Sequence, residues 1–153
     1  MDPMQSTDEV LEFAIAREQE SADFYTNLSH RAENPNMRQV FVDFAREERG
    51  HKAKLIAIRD GRLFPQAAPG GPVRDLKIAD YVVEISPTPE MNYQDALIVA
   101  MQREKASFRL YTDLARSIDE PELKQAFLAL AQEEAKHKLR FEVEYDQVVL
   151  REN

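Results

Sequence analysis

Cysteine is missing from this 153-residue chain, and only 4 glycines occur in it. Without a thiol there is no disulfide, no thiolate zinc site, no iron–sulfur cluster and no cysteine nucleophile. Scarce glycine, combined with apolar residues spaced three and four apart, favours an all-helical protein. Basic residues are also in deficit: 20 Lys and Arg against 28 Asp and Glu, a net charge of -8. That balance argues against nucleic acid or an anionic membrane as partner. No apolar run reaches membrane-spanning length, and the opening Met1–Val10 is acidic and polar, unlike an export signal; the expected location is the cytoplasm. What is present, 43% hydrophobic and 31% charged residues, is the make-up of one globular domain with its own core.

The chain repeats itself. With a shift of 86 residues, 11–55 lies over 97–141 without a gap, and 16 of the 45 pairs are identical. Leu11 meets Leu97, Arg17-Glu18 meets Arg103-Glu104, Ser21 meets Ser107, and Tyr25-Thr26 meets Tyr111-Thr112. Further on, Pro35 meets Pro121, Phe41 meets Phe127, Glu47-Glu48 meets Glu133-Glu134, and His51-Lys52 meets His137-Lys138. Shared helical periodicity would align leucines and alanines, but not Glu, Tyr, Pro and His together, so the alignment reads as a duplication.

Each half reads as two helices. Ser6–Glu9 is a capping box, opening a helix to about residue 32. Asn34-Pro35 supplies a cap and a proline for a second helix, which Gly61 can stop. In the second half Asn92 or Pro89 precedes a helix to about Ile118, and Pro121 restarts the chain for a last helix to about Leu150. Hairpin 1 therefore covers about 7–60 and hairpin 2 about 91–150 of a single 1–153 domain. The connecting 61–90 begins rich in Pro and Gly, but Leu76, Ile78, Tyr81, Val82, Val83 and Ile85 are too apolar for a free linker. They are expected to pack on the bundle as a short helix or extended piece. A helix of about 26 residues is about 39 Å long, a span that this connection can cross. The expected fold is an all-α four-helix bundle of two duplicated hairpins, with a long crossover between helices 2 and 3.

The core stripes of these helices contain charges. The second helix presents Met37, Phe41, Phe44, Glu48, His51 and Leu55; the fourth presents Leu123, Phe127, Leu130, Glu134, His137 and Phe141. The first gives Leu11, Ala14, Glu18, Ala22 and Tyr25, and the third Leu97, Ala100 or Met101, Glu104, Phe108 and Tyr111. Residues at these spacings share one helix face, so four carboxylates and two imidazoles point into one core. Such carboxylates cannot all ionise without a counter-charge. Two divalent metals supply it, with imidazoles completing the coordination; oxygen and imidazole donors suit iron or manganese, and zinc can also bind. One Glu-x-x-His in a charged helix is weak evidence; two, in phase with the core and each matched by a core Glu, are strong. His30 lacks such support and is expected at the surface. Glu47 and Glu133 lie one step off the stripe, either solvated or beside the ligands. Tyr25 and Tyr111 read as core aromatics or as hydroxyls bonded to metal carboxylates. Gly50, opposite Lys136, costs roughly 1 kcal/mol inside a helix and suggests a close approach.

The segments REQESADFY with EERGH, and REKASFRLY with EEAKH, resemble the ferritin-like superfamily, and within it the rubrerythrin-like (erythrin) domain, over roughly 8–58 and 90–148. The resemblance implies Glu18 and Glu104 as terminal ligands, Glu48 and Glu134 as bridging ligands, and His51 and His137 as one imidazole for each of two irons. It also implies an oxidoreductase that reduces peroxide or dioxygen, working as a homodimer. Two departures stand out. Rubrerythrins proper carry a cysteine-ligated electron-transfer domain, so electrons here would come from a separate donor protein. They also carry an extra Glu where this chain has Ser107. The symmetric Glu/His set is closer to bacterioferritin, without an evident fifth helix for a cage. Two further readings stand beside this one: a ferroxidase, storage or iron-delivery protein, and a metal-binding module without turnover. By the duplication, the halves are expected to contribute equally.

Overall fold

A computed structural model describes residues 7–64, 78–83 and 91–152. Its elements are α1 (Thr7–Arg31), α2 (Pro35–Arg59), a 3-10 turn (Ile78–Tyr81), α3 (Tyr93–Arg116) and α4 (Pro121–Glu152). Ser6 of the expected capping box, Pro89, Leu76 and Ile85 lie outside the described residues.

Local chemistry sets the boundaries. Asn34 is extended, and its Oδ1 accepts from the N–H groups of Asn36 (2.7 Å) and Met37 (3.4 Å), while Pro35 occupies the first helical position, where no N–H is needed. Asn92 caps α3 by accepting from Asp95 N–H at 2.8 Å. The Glu120 carboxylate accepts from Glu122 and Leu123 N–H ahead of α4. α2 ends at Asp60, and Gly61 follows with φ +75°, a backbone state that glycine reaches at little cost.

Two apolar layers give the topology. One joins Val10, Leu11 and Ala14 of α1, Leu55 and Ile58 of α2, Leu110, Tyr111, Leu114 and Ala115 of α3, and Leu123, Phe127 and Leu130 of α4. The other joins Phe24, Tyr25 and Leu28 of α1, Met37 and Phe41 of α2, Ala96, Leu97 and Ala100 of α3, and Phe141 and Val148 of α4. Thus α1 is antiparallel to α2 and α3 to α4, while α2 and α3 run the same way. α2 finishes in the first layer and α3 begins in the second, so the connection must travel the length of the bundle. It is pinned on the way at Tyr81, which is buried. The Tyr81 carbonyl accepts from Arg17 Nη2 at 2.9 Å, and its hydroxyl donates to Asp113 Oδ2 at 2.6 Å. Val82, by contrast, is 52% exposed. No described helix is long and apolar enough to cross a membrane.

Two sequence expectations are corrected. Phe108 was placed in the core stripe of α3, yet it is an exposed apolar residue, and Ser107 is buried instead. The edge of α3 that carries Arg103 and Ser107 turns to α1, where Arg103 pairs with Glu20 at 3.2 Å; this rolls Phe108 outwards. Nor does Gly50 mark a close approach: a Cβ built there meets nothing within 4 Å. Gly50→Ala should therefore stabilise the chain by about 0.5–1 kcal/mol through reduced backbone entropy in the unfolded state. Urea denaturation should show a higher midpoint at unchanged slope.

Candidate metal centre

Between the two apolar layers every helix contributes one polar stretch: Glu18 from α1, Glu48 and His51 from α2, Glu104 from α3, and Glu134 and His137 from α4. All four carboxylates are completely buried. His51 Nδ1 lies 2.9 Å from Glu18 Oε2, 3.1 Å from Glu48 Oε1 and 3.3 Å from Glu134 Oε1. His137 Nδ1 lies 2.8 Å from Glu104 Oε2, 3.6 Å from Glu48 Oε1 and 3.8 Å from Glu134 Oε1. The rings are nearly parallel, 6.4 Å apart. The structure thus brings together all six residues singled out in the sequence.

The donor atoms fall into groups whose members lie within 4.8 Å of one another: two buried ones, Glu18, Glu48, His51 and Glu134, and Glu48, Glu104, Glu134 and His137, and a more exposed one of Glu47, Glu133 and His137. Glu48 and Glu134 belong to both buried groups. Oε1 of Glu18, both oxygens of Glu48, Oε2 of Glu104 and both oxygens of Glu134 are buried and accept no hydrogen bond. Leaving so many buried carboxylate oxygens without donors costs several kcal/mol. The set is acceptor-rich, which fits divalent cations with oxygen and imidazole preferences.

Electrostatics tell the same story. Burial, with Glu134 next in weight, pushes Glu18 up to about 8, and the same two causes push Glu104 up to about 7. Glu48 is raised well above the usual carboxylate range, by burial and then by Glu134, Glu104 and Glu18. Burial alone would lower the imidazoles, but Glu134 and Glu18 outweigh it at His51, lifting it to about 10. At His137 the Glu104 carboxylate does the same, to about 9.

The tyrosines sit around this cluster. Tyr25 Oη donates to Glu104 Oε1 at 2.7 Å, reaching from hairpin 1 to the carboxylate of hairpin 2. Tyr111, fully buried, faces Glu18 in the reciprocal sense. Of the two readings left open in the sequence, the hydroxyl-to-carboxylate contact holds for Tyr25. His30 is exposed. Glu47 Oε1 is 2.9 Å from His137 Nε2, and Glu133, which pairs with Lys136 at 3.7 Å, has a carboxylate oxygen within 4.8 Å of both.

Sequence reasoning missed Arg17 and Arg103. They precede Glu18 and Glu104, are both more than nine-tenths buried, and lie near enough that the charge of Arg103 adds to burial in lowering Arg17. Their identity in the repeat was the available signal, but arginine one step off a core stripe reads as solvated. Phe44, read only as core, stacks on His137 with centroids 3.9 Å apart.

The raised values give a pH dependence for protein kept in chelator. Glu18, Glu104, His51 and His137 all bind protons more tightly when folded than when unfolded, so their contribution is complete below the unfolded values and is lost as pH rises through the folded ones. Melting temperature in chelator should fall between about pH 5 and about pH 10. Added divalent metal should raise it most at the upper end, where it replaces the lost protons. Scanning calorimetry across that range checks this; a melting temperature in chelator that rises towards pH 8 contradicts it.

Comparison with known proteins adds three findings. A family model, rubrerythrin, matches residues 9–74 and 95–153. The chain superposes on a protein from Thermotoga maritima, described as a ferritin-like diiron-carboxylate protein, with a TM-score of 0.77 at 18% identity, covering 97% of this chain and 99% of that one. It also superposes on a hypothetical protein from Pyrococcus furiosus, with a TM-score of 0.70 at 24% identity, covering 93% of this chain and 89% of the other. No curated protein matches.

Proposed function

Because the chain belongs to the rubrerythrin family, we propose that the buried Glu/His cluster holds two iron ions and that the protein is an oxidoreductase reducing peroxide or dioxygen. The observation that carries this reading is the pair of four-residue groups sharing Glu48 and Glu134. Four carboxylates balance two divalent cations, and one imidazole remains for each. Glu18 and His51 would hold one ion, Glu104 and His137 the other, and Glu48 and Glu134 both. Manganese or zinc could be held by the same donors. When bound, a ferrous pair would supply the two electrons that, with two protons, turn peroxide into two waters.

The chain's own residues do the rest. Tyr25 holds Glu104 by one oxygen, limiting how that carboxylate can turn. The apolar layers on either side keep bulk water from the cluster. His51 is the more accessible imidazole, 11% exposed against 2% for His137, so small oxidants are expected to approach from its side. With no cysteine in these 153 residues, electrons are expected from a separate donor protein. A cytoplasmic homodimer is part of the same reading, and the exposed Leu139 and Val143, one turn apart on α4, offer a surface for it.

Anaerobic loading with ferrous iron, followed by stopped-flow absorbance against peroxide and then dioxygen, tests the reaction. Repeated turnover with a reductant supports the oxidoreductase; a single oxidation with ferric product retained or delivered marks a ferroxidase or storage protein; inertness marks a non-catalytic metal module. Elemental analysis after dialysis against a weak chelator tests the site. The parent, Lys52→Ala and Lys138→Ala should carry about two metals per chain. Glu18→Ala and Glu104→Ala should each weaken one position, and Glu48→Ala and Glu134→Ala both. Full occupancy in the last two variants would sink the dinuclear assignment.

A further inference from the structure

The duplication makes the two halves of the centre look interchangeable, but the contacts around the imidazoles are not. The His137 ring is stacked by Phe44 (3.9 Å, 22°) and approached edge-on by Tyr25 (6.5 Å, 89°). Its Nε2 is 2.9 Å from Glu47 Oε1, leaving Nδ1 turned to Glu104. Both clamping residues come from α2, across the bundle from α4. By the repeat, Leu130 and Glu133 of α4 should do the same for His51. Leu130 has no ring to stack, and Glu133, paired by Lys136 on its own helix, lies beside Glu47 and His137, with donor atoms within 4.8 Å of one another. The counterpart of Lys136 is Gly50, so α2 has no lysine three residues beyond Glu47 to draw it back in the same way. Gly50 stands in open space, which removes packing as its reason.

A carboxylate that accepts from Nε2–H fixes the tautomer in which Nδ1 carries the lone pair, and makes that nitrogen a better donor. A ring already held by stacking also loses less freedom on binding. Resting on the dinuclear reading above, we infer that Glu47 is a positioning residue that makes the two metal positions unequal: the Glu104–His137 position is the tight one, and the Glu18–His51 position is the weaker, exchangeable one. Glycine at position 50, where the other half has Lys136, is what leaves Glu47 free for this task.

The test uses zinc, which has no redox chemistry, added to chelator-stripped protein in competition with a chromophoric chelator. The parent should bind in two steps at least about tenfold apart. His51→Ala should keep the tighter step and His137→Ala only the weaker. Glu47→Ala should weaken the tighter step about 10–100-fold and leave the other in place, with Glu47→Gln intermediate because its amide oxygen can still accept. Gly50→Lys should act in the same direction as Glu47→Ala, whereas Gly50→Ala should not. Two equal steps in the parent, or a folded Glu47→Ala variant with the tighter step intact, overturn the inference while leaving the dinuclear centre standing. Failure of the parent to bind zinc at all overturns both.

Discussion

Four buried glutamates at one level of a narrow bundle repel one another and have given up their water. The rest of the molecule is arranged around that fact. Each helix presents its carboxylate midway along its length, with apolar side chains above and below. Those layers supply the hydrophobic stabilisation that offsets a polar core. They also keep the dielectric low, which makes the repulsion severe and raises the affinity for cations and protons. The imidazoles lifted to about 10 and about 9 are the chain's own response. Stability and metal affinity are therefore two readings of one electrostatic strain.

The same constraint explains the topology. Two hairpins of similar sequence place their carboxylates at the same distance along each copy. Because each carboxylate lies midway along its helix, the copies can pack head to tail, α1 antiparallel to α3, and still bring both sets to one level. Then α2 and α3 run in the same direction, and a short turn cannot join them. The long crossover follows from that head-to-tail packing, and Tyr81 secures it to α1 and α3 through Arg17 and Asp113. Tyr25 reaches the glutamate of the other half, so the copies are joined by polar contacts as well as by packing.

Duplication also permits divergence. Once one fold holds both copies, positions outside the ligand set can change independently. Phe44 against Leu130 and Gly50 against Lys136 are such changes, and together they give His137 a fixed ring while His51 remains nearer to solvent.

The sequence by itself determined the helices, the bundle and the six residues of the centre. Periodicity of 3.6 ties spacing to a helix face, asparagine–proline and glycine signals act within a few residues, and a repeat shows its residues twice. What surrounds those six residues was decided only by the tertiary structure. Spacing cannot say which way α3 rolls against α1, so Phe108 and Ser107 exchanged places. Nor can it say which side of the bundle Glu47 and Glu133 reach, or that Arg17 and Arg103 are buried. These depend on helix rotation and on which cation is nearest in space. Such differences are of a few ångströms between residues about 90 positions apart, and no local rule along the chain carries that information.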